Sequence, residues 1–296
     1  MSLQQQFADK VDALIAQSAK LGPDATKKVL ELLNEARVKI LGELTQLNPQ
    51  SFSAAQLNVL KKSIERAMTQ FSTQAGSAVI GLEAKAFELG QKTITSPLDS
   101  AGLSSSFGQV STSALSVAQG YTADLITGLS NNASASVNAA IQRAFLGGQS
   151  LTDIIGQIGK ALPGDKGFTG LFSPIGKRAA GIATNEILRV HSIAAQAKLE
   201  DAADRHPDLM KQWKHLAIAM KPRIGHVVAD GQTQKVEDPF QIEGEDLMYP
   251  RDPNGSPENT INCHCMLVPY FLEGALKPSA EQKGLLESLG ISVTAA

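Results

Sequence analysis

The chain has 296 residues, of which 43% are hydrophobic, 19% charged and 5% aromatic, with a net charge of -2. This balance excludes wholesale disorder and provides for a sizeable core, in one large domain or two ordinary ones. A near-neutral total carries no whole-chain electrostatic footprint for nucleic acid, although a local basic face would be averaged out of it.

The N-terminal residues Met1-Ser2-Leu3-Gln4-Gln5-Gln6 lack the basic start and apolar run of a signal peptide, and no apolar stretch reaches membrane-spanning length. Cys263 and Cys265 are too close together to found a disulfide framework. We therefore expect a protein made in a reducing cytoplasm. The apolar residues are mostly Ala, Leu, Ile and Val, which suits helix-on-helix packing.

The first apolar residues, Phe7, Val11, Leu14 and Ile15, recur at helical spacing up to a break at Gly22-Pro23. Asp24 is the expected N-cap of a second helix whose stripe is Val29, Leu33, Ala36, Ile40 and Leu44, ending at Asn48-Pro49. Ser53-Ala54-Ala55-Gln56 has the pattern of a capping box, so a third helix is expected from there towards Gly90. Ser, Gly, Thr and Pro dominate from Thr93 to Gln109, which predicts a loop or hinge. Helical periodicity returns over residues 112–128 and again over 133–146. Gly147-Gly148-Gln149-Ser150 predicts a stop followed by a new cap, and a long helix is expected from about Pro174 to Arg205.

Beyond His206-Pro207 the texture changes to short apolar runs with many Pro and Gly. Trp213–Ala217 and Met266–Phe271 are the expected strands, Asp230-Gly231 a turn, and 279–289 a short terminal helix. The predicted fold class is mainly α with a small C-terminal α+β domain. The divisions are 1–92 (long helices), 93–110 (hinge), 111–206 (helical middle), 207–275 (α+β) and 276–296 (tail).

Reactive chemistry concentrates between Lys221 and Cys265. In a strand, Cys263 and Cys265 would share one face, where two thiols can bind a soft metal such as zinc. His226 and a carboxylate, Asp230 or Asp252, would complete four ligands; alternatively, both thiols are small buried hydrophobes. His226, Arg223, Asp230 and Gln232 also suit a phosphodiester-cleaving site, with the histidine as acid or base and the arginine bracing a phosphate. The competing reading is a turn held by hydrogen bonds, with no catalytic residue at all. Thr184, Glu186 and Arg189 fit either a partner-binding or anchoring cluster on the long helix or a solvated face. Trp213 reads as a core or interface anchor. There is no P-loop and no Gly-x-Ser-x-Gly elbow.

The order of these residues resembles the head-morphogenesis (minor head protein) family of tailed bacteriophages typified by the F protein of phage Mu. The resemblance spans about Gly147 to Tyr270. It rests on Gly148-Gln149-Ser150-Leu151, on Arg178 with Thr184 and Glu186, and on Trp213. It continues through Pro222-Arg223-x-x-His226, Asp230-Gly231-Gln232, Phe240, Tyr249-Pro250-x-Asp252 and Asn262-Cys263-x-Cys265. His264 replaces the usual arginine between the cysteines, and Ala219 or Met220 replaces an acidic residue before Arg223.

The resemblance implies a low-copy structural virion component, several copies per virion, placed inside the head near the portal vertex, incorporated in the host cytoplasm during procapsid assembly and expected to act in DNA packaging or ejection as well as in assembly. Its implied partners are the portal, other head proteins and, in some relatives, the phage genome DNA, with no membrane role.

Overall fold

A computed structural model describes residues 2–47, 53–103, 108–163, 166–216 and 222–272. The expected terminal helix over 279–289, the 276–296 tail, the Asn48-Pro49 stop and the Ala219 and Met220 departures lie outside the described residues.

The protein is mainly α, with long N-terminal helices and a small C-terminal region of antiparallel strands. Six helices come first: α1 (Leu3–Ser18), α2 (Leu21–Thr45), α3 (Ala54–Ser100), α4 (Ser113–Leu146), α5 (Leu151–Ile158) and α6 (Phe172–Ala203). The remaining elements are β1 (Leu209–Lys214), α7 (Ile224–Val228), β2 (Thr233–Lys235), β3 (Phe240–Ile242), β4 (Glu245–Leu247), α8 (Pro257–Thr260) and β5 (Met266–Phe271). Among the described residues, no helix is long and apolar enough to cross a membrane.

Local signals account for several boundaries. Ser53 N donates to Gln56 Oε1 (2.8 Å) and Gln56 N to Ser53 Oγ (3.3 Å), the reciprocal capping box expected at the start of α3. Ser150 and Asp153 make the same arrangement at α5.

Tertiary packing moved other boundaries. The α1–α2 break falls at Ala19-Lys20, so Gly22-Pro23 lies inside α2 and Asp24 is a first-turn residue rather than the cap. Proline costs little in a first turn, where its missing N–H would have no helical partner.

The expected hinge at 93–110 is shorter, because α3 continues through Pro97 to Ser100. Ile94 and Leu98 are fully buried there, and Thr93 donates its hydroxyl back to the Leu89 carbonyl (2.9 Å). Burial of that apolar pair offsets the helix-breaking proline. The two helices expected over 112–146 are one, α4, since Leu129, Ser130 and Ala133 are buried across the supposed gap and Ser130 Oγ donates to the Met68 carbonyl (2.6 Å).

The compact units cut across chain order. One comprises residues 22–82 and 117–186, the other 1–21, 83–116 and 187–296. Among the described residues the first is built from helices, with one isolated bridge between Ala161 and Phe168, and Leu33, Ile40, Ile64, Phe71 and Phe172 are among its buried side chains. The second carries the strands.

In the second unit, β1 lies between β2 and β5 in an antiparallel sheet, with Trp213 opposite Leu267 and Met210 opposite both Lys235 and Tyr270. Leu209, Lys211 and Trp213 alternate inward along β1, as strand period demands. Pro269 is accommodated because β5 is an edge strand. β3 and β4 form a hairpin whose two-residue turn, Glu243-Gly244, has positive φ at both positions (52° and 84°), matching the twist of the flanking strands. One apolar cluster joins Phe7, Ile94, Leu98 and Leu199 to Trp213, Phe240 and Phe271. Phe7 meets Phe271 edge-on at 5.6 Å.

Candidate metal centre

Three stretches of the strand-bearing unit converge on one buried point. The end of β1 supplies Trp213 and His215, α7 supplies His226, and the turn before β5 supplies Cys263 and Cys265. His226 Nδ1 lies 3.5 Å from both Cys263 Sγ and Cys265 Sγ, and His215 Nδ1 lies 3.6 Å from Cys265 Sγ. His226, Cys263 and Cys265 are 2%, 2% and 1% exposed. Their ligand atoms lie within 4.8 Å of one another, a spacing able to hold a metal ion.

The cysteines precede β5 instead of lying in it. Positive φ at Asn262 (56°) turns the chain so that both thiols still point the same way. Arg251 fixes that turn. Its buried guanidinium donates to the carbonyls of Cys263 (2.6 Å) and Cys265 (2.9 Å) and to Ser192 Oγ on α6 (2.9 Å). Arg251 itself sits at φ 67°, a left-handed conformation that non-glycine residues rarely adopt.

The far side of His226 is equally determined. Its Nε2 faces Asn259 Oδ1 at 3.3 Å, and the Asn259 side chain also hydrogen-bonds Glu245. An amide oxygen can only accept, so His226 Nε2–H is the donor to Asn259 Oδ1. That tautomer turns the unprotonated Nδ1 towards the sulfurs. Trp213 packs edge-on against the His226 ring at 5.7 Å and against Phe240 at 5.4 Å.

Hydrogen bonding from the Cys265 thiol holds Cys263 well below its ordinary pKa against the opposing effect of burial, aided by His226 and the Arg251 charge. Cys265 is pushed up by its bond to Cys263 and then by burial. The pair therefore sheds one proton easily and resists losing the second. For His226, burial is the largest single effect and favours the neutral ring, but the bond to Cys263, the Cys263 charge and the bond to Asn259 together outweigh it and raise the pKa.

The other residues singled out in sequence lie apart from this point. Asp230 accepts from the His215 backbone N–H (2.8 Å) and pairs with Lys214 (3.4 Å). Asp252 accepts from Met248 N (2.9 Å) and Asn254 N (3.0 Å). Neither carboxylate is in the cluster. Arg223 donates to the Ile261 carbonyl, so it does not join His226 and Asp230 in a phosphate-binding group. Gly231, at φ 84°, donates to the Trp213 carbonyl, and the Gln232 carbonyl accepts from Trp213 N, both at 2.9 Å. Pro250 is buried and Asn262 exposed.

On α6, Thr184 bonds the Thr26 hydroxyl at 2.8 Å, and Glu186 is buried and accepts from Asn185 at 3.1 Å. Glu186 is therefore not on a solvated face. Arg189 is half-buried.

Sequence reasoning missed His215 and Arg251. His215 lies 50 residues from Cys265, with no local motif joining them. Arg251 stands in Tyr249-Pro250-Arg251-Asp252-Pro253, which reads as an exposed loop.

Fold and site together define a class: a mainly helical protein whose small antiparallel module encloses a Cys/Cys/His cluster beside a second histidine. The chain is similar to the protein named "Uncharacterized protein YqbB" of Bacillus subtilis (strain 168), at 35% identity over 103 residues, 34% of each chain. It thus spans about a third of that relative's length. No family model and no solved structure matches the chain.

Proposed function

We propose that this chain is a minor head protein of a tailed bacteriophage, built into the procapsid near the portal vertex by contacts with the portal and other head proteins. The observation that carries this reading is how the motif residues are spent. Trp213, Phe240, His226, Cys263 and Cys265 are buried against one another. The ordered set that resembles the phage family therefore builds one module rather than lining an open cleft. Long helices with buried polar ties and little accessible reactive chemistry suit assembly better than turnover.

The nuclease-like alternative is less well supported. The His226 ring nitrogens face sulfur and Asn259, and Arg223 is engaged elsewhere. Genome DNA is a secondary partner under this reading, with binding that falls steeply as salt rises.

The test is co-purification of the tagged full chain with procapsids assembled with and without portal. Portal-dependent incorporation in several copies is expected. Absence from particles overturns the reading, and phosphodiesterase activity lost in His226→Ala would establish the enzymatic one.

A further inference from the structure

We infer that Cys263, Cys265, His226 and His215 form a four-ligand site for a zinc-class divalent ion that staples the end of β1 and α7 to the start of β5. A zinc ion with Zn–S of about 2.3 Å and Zn–N of about 2.0–2.1 Å at tetrahedral angles gives N···S edges of about 3.5–3.6 Å. The structure has such edges at 3.5 Å from His226 to both sulfurs and at 3.6 Å from His215 to Cys265; His215 stands outside the group whose ligand atoms lie within 4.8 Å of one another and closes on the ion as the fourth ligand.

Both sulfurs lie at one distance, 3.5 Å, from a single ring nitrogen, and the second histidine reaches Cys265 at 3.6 Å. An ion at the centre satisfies both sulfurs and the nitrogen at once.

The surroundings are those of a metal ligand set. His226 gives its second ring N–H to Asn259, which is anchored in turn by Glu245, the outer-shell relay that orients ligating imidazoles. Asp230 holds the His215 backbone, so the carboxylate acts as a positioning group and is not a ligand. Thiolates with imidazoles select zinc over the hard cations, which prefer oxygen. With both cysteines and His226 almost wholly buried and the half-buried His215 taking the fourth position, no coordination position is left open, so the ion is structural.

Such a staple would add to the apolar cluster a direct tie between short elements: β2, β3 and β4 are three residues each and α7 five. Binding converts two thiols to thiolates and releases their protons to solvent.

The test uses the purified full chain under reducing conditions. Metal is assayed as isolated from zinc-supplemented growth, then stripped by chelator and replaced with cobalt(II). One zinc per chain is expected, and cobalt should give tetrahedral ligand-field bands with thiolate charge transfer. Cys263→Ser should abolish both. His215→Ala should retain the ion about ten-fold or more weakly against a competing chelator, with altered bands, taking outer-shell losses of about 10–100-fold as the floor. Wild-type chain with no zinc and no cobalt bands overturns the site, whatever the folding of the variants. Unchanged affinity and bands in His215→Ala overturn the four-ligand set. Particle incorporation plays no part in these readouts, so metal binding and virion assembly stand or fall separately.

Discussion

Arg251→Met tests whether the buried guanidinium braces the cysteine turn. Arg251 is fully buried, makes three donated hydrogen bonds, and has no carboxylate at ion-pair distance among the described residues. Methionine fills comparable space, so the cavity contribution is small. The carbonyls of Cys263 and Cys265 would lose their donor, and hydrogen bonds to a charged group contribute about 1.5–3 kcal/mol each. Relief from burying an arginine, whose pKa burial already lowers, offsets part of that. A net loss of about 2–4 kcal/mol follows. Urea unfolding reads it as a lower midpoint at unchanged m-value, measured in excess zinc and again in excess chelator. The cysteines should also react faster with thiol reagents, because their carbonyl clamp is gone. A variant as stable as wild type with equally protected thiols would refute the brace.

Three further outcomes are expected. His191 sits between the Ser18 and Thr93 hydroxyls, and burial, then Arg251, lowers its pKa to about 3. The unfolded ring protonates below about 6.5, so wild type loses about 1.4 kcal/mol per pH unit below that value. The stability advantage of wild type over His191→Gln should shrink at that rate between about pH 6 and 4; a constant gap contradicts it. Lys211, buried under the Met248 carbonyl and the Phe240 ring, is lowered to about 8 by burial despite Glu200 and Asp238. Its folded form loses a proton before the unfolded one, so wild type should gain stability over Lys211→Met as pH rises from about 8 to 10. A gap that narrows or reverses in that range refutes the assignment. At Gly90, an added Cβ would collide with the His191 carbonyl oxygen and stand 2.9 Å from Ala194 Cβ. Gly90→Ala should cost about 1–3 kcal/mol in denaturant unfolding; wild-type stability would show that α3 and α6 separate freely.

Part of this architecture is written locally. The capping boxes at Ser53 and Ser150 form because cap and partner are three residues apart, so neighbouring atoms settle them. The apolar period of α2 and the strand character of Met266–Phe271 are of the same kind. The convergence of Cys263, Cys265 and His226 was legible as composition, since few other residues here bind soft metals. The carboxylates Asp230 and Asp252, read from sequence as completing that group, lie outside it, with oxygens taken by backbone N–H groups.

Sequence alone therefore determined the helix-forming segments, their caps and the stock of reactive side chains, because these depend on residues within a turn of one another. Tertiary structure decided the rest. It carried α3 through Pro97 by burying Ile94 and Leu98, and it fused two periodic stretches into α4. It brought His215 to Cys265 from 50 residues away, and it turned Arg251 from a loop residue into the brace of the site. Those outcomes rest on burial and on long-range hydrogen bonds, whose free energies exceed local propensity and leave no periodic trace in the sequence.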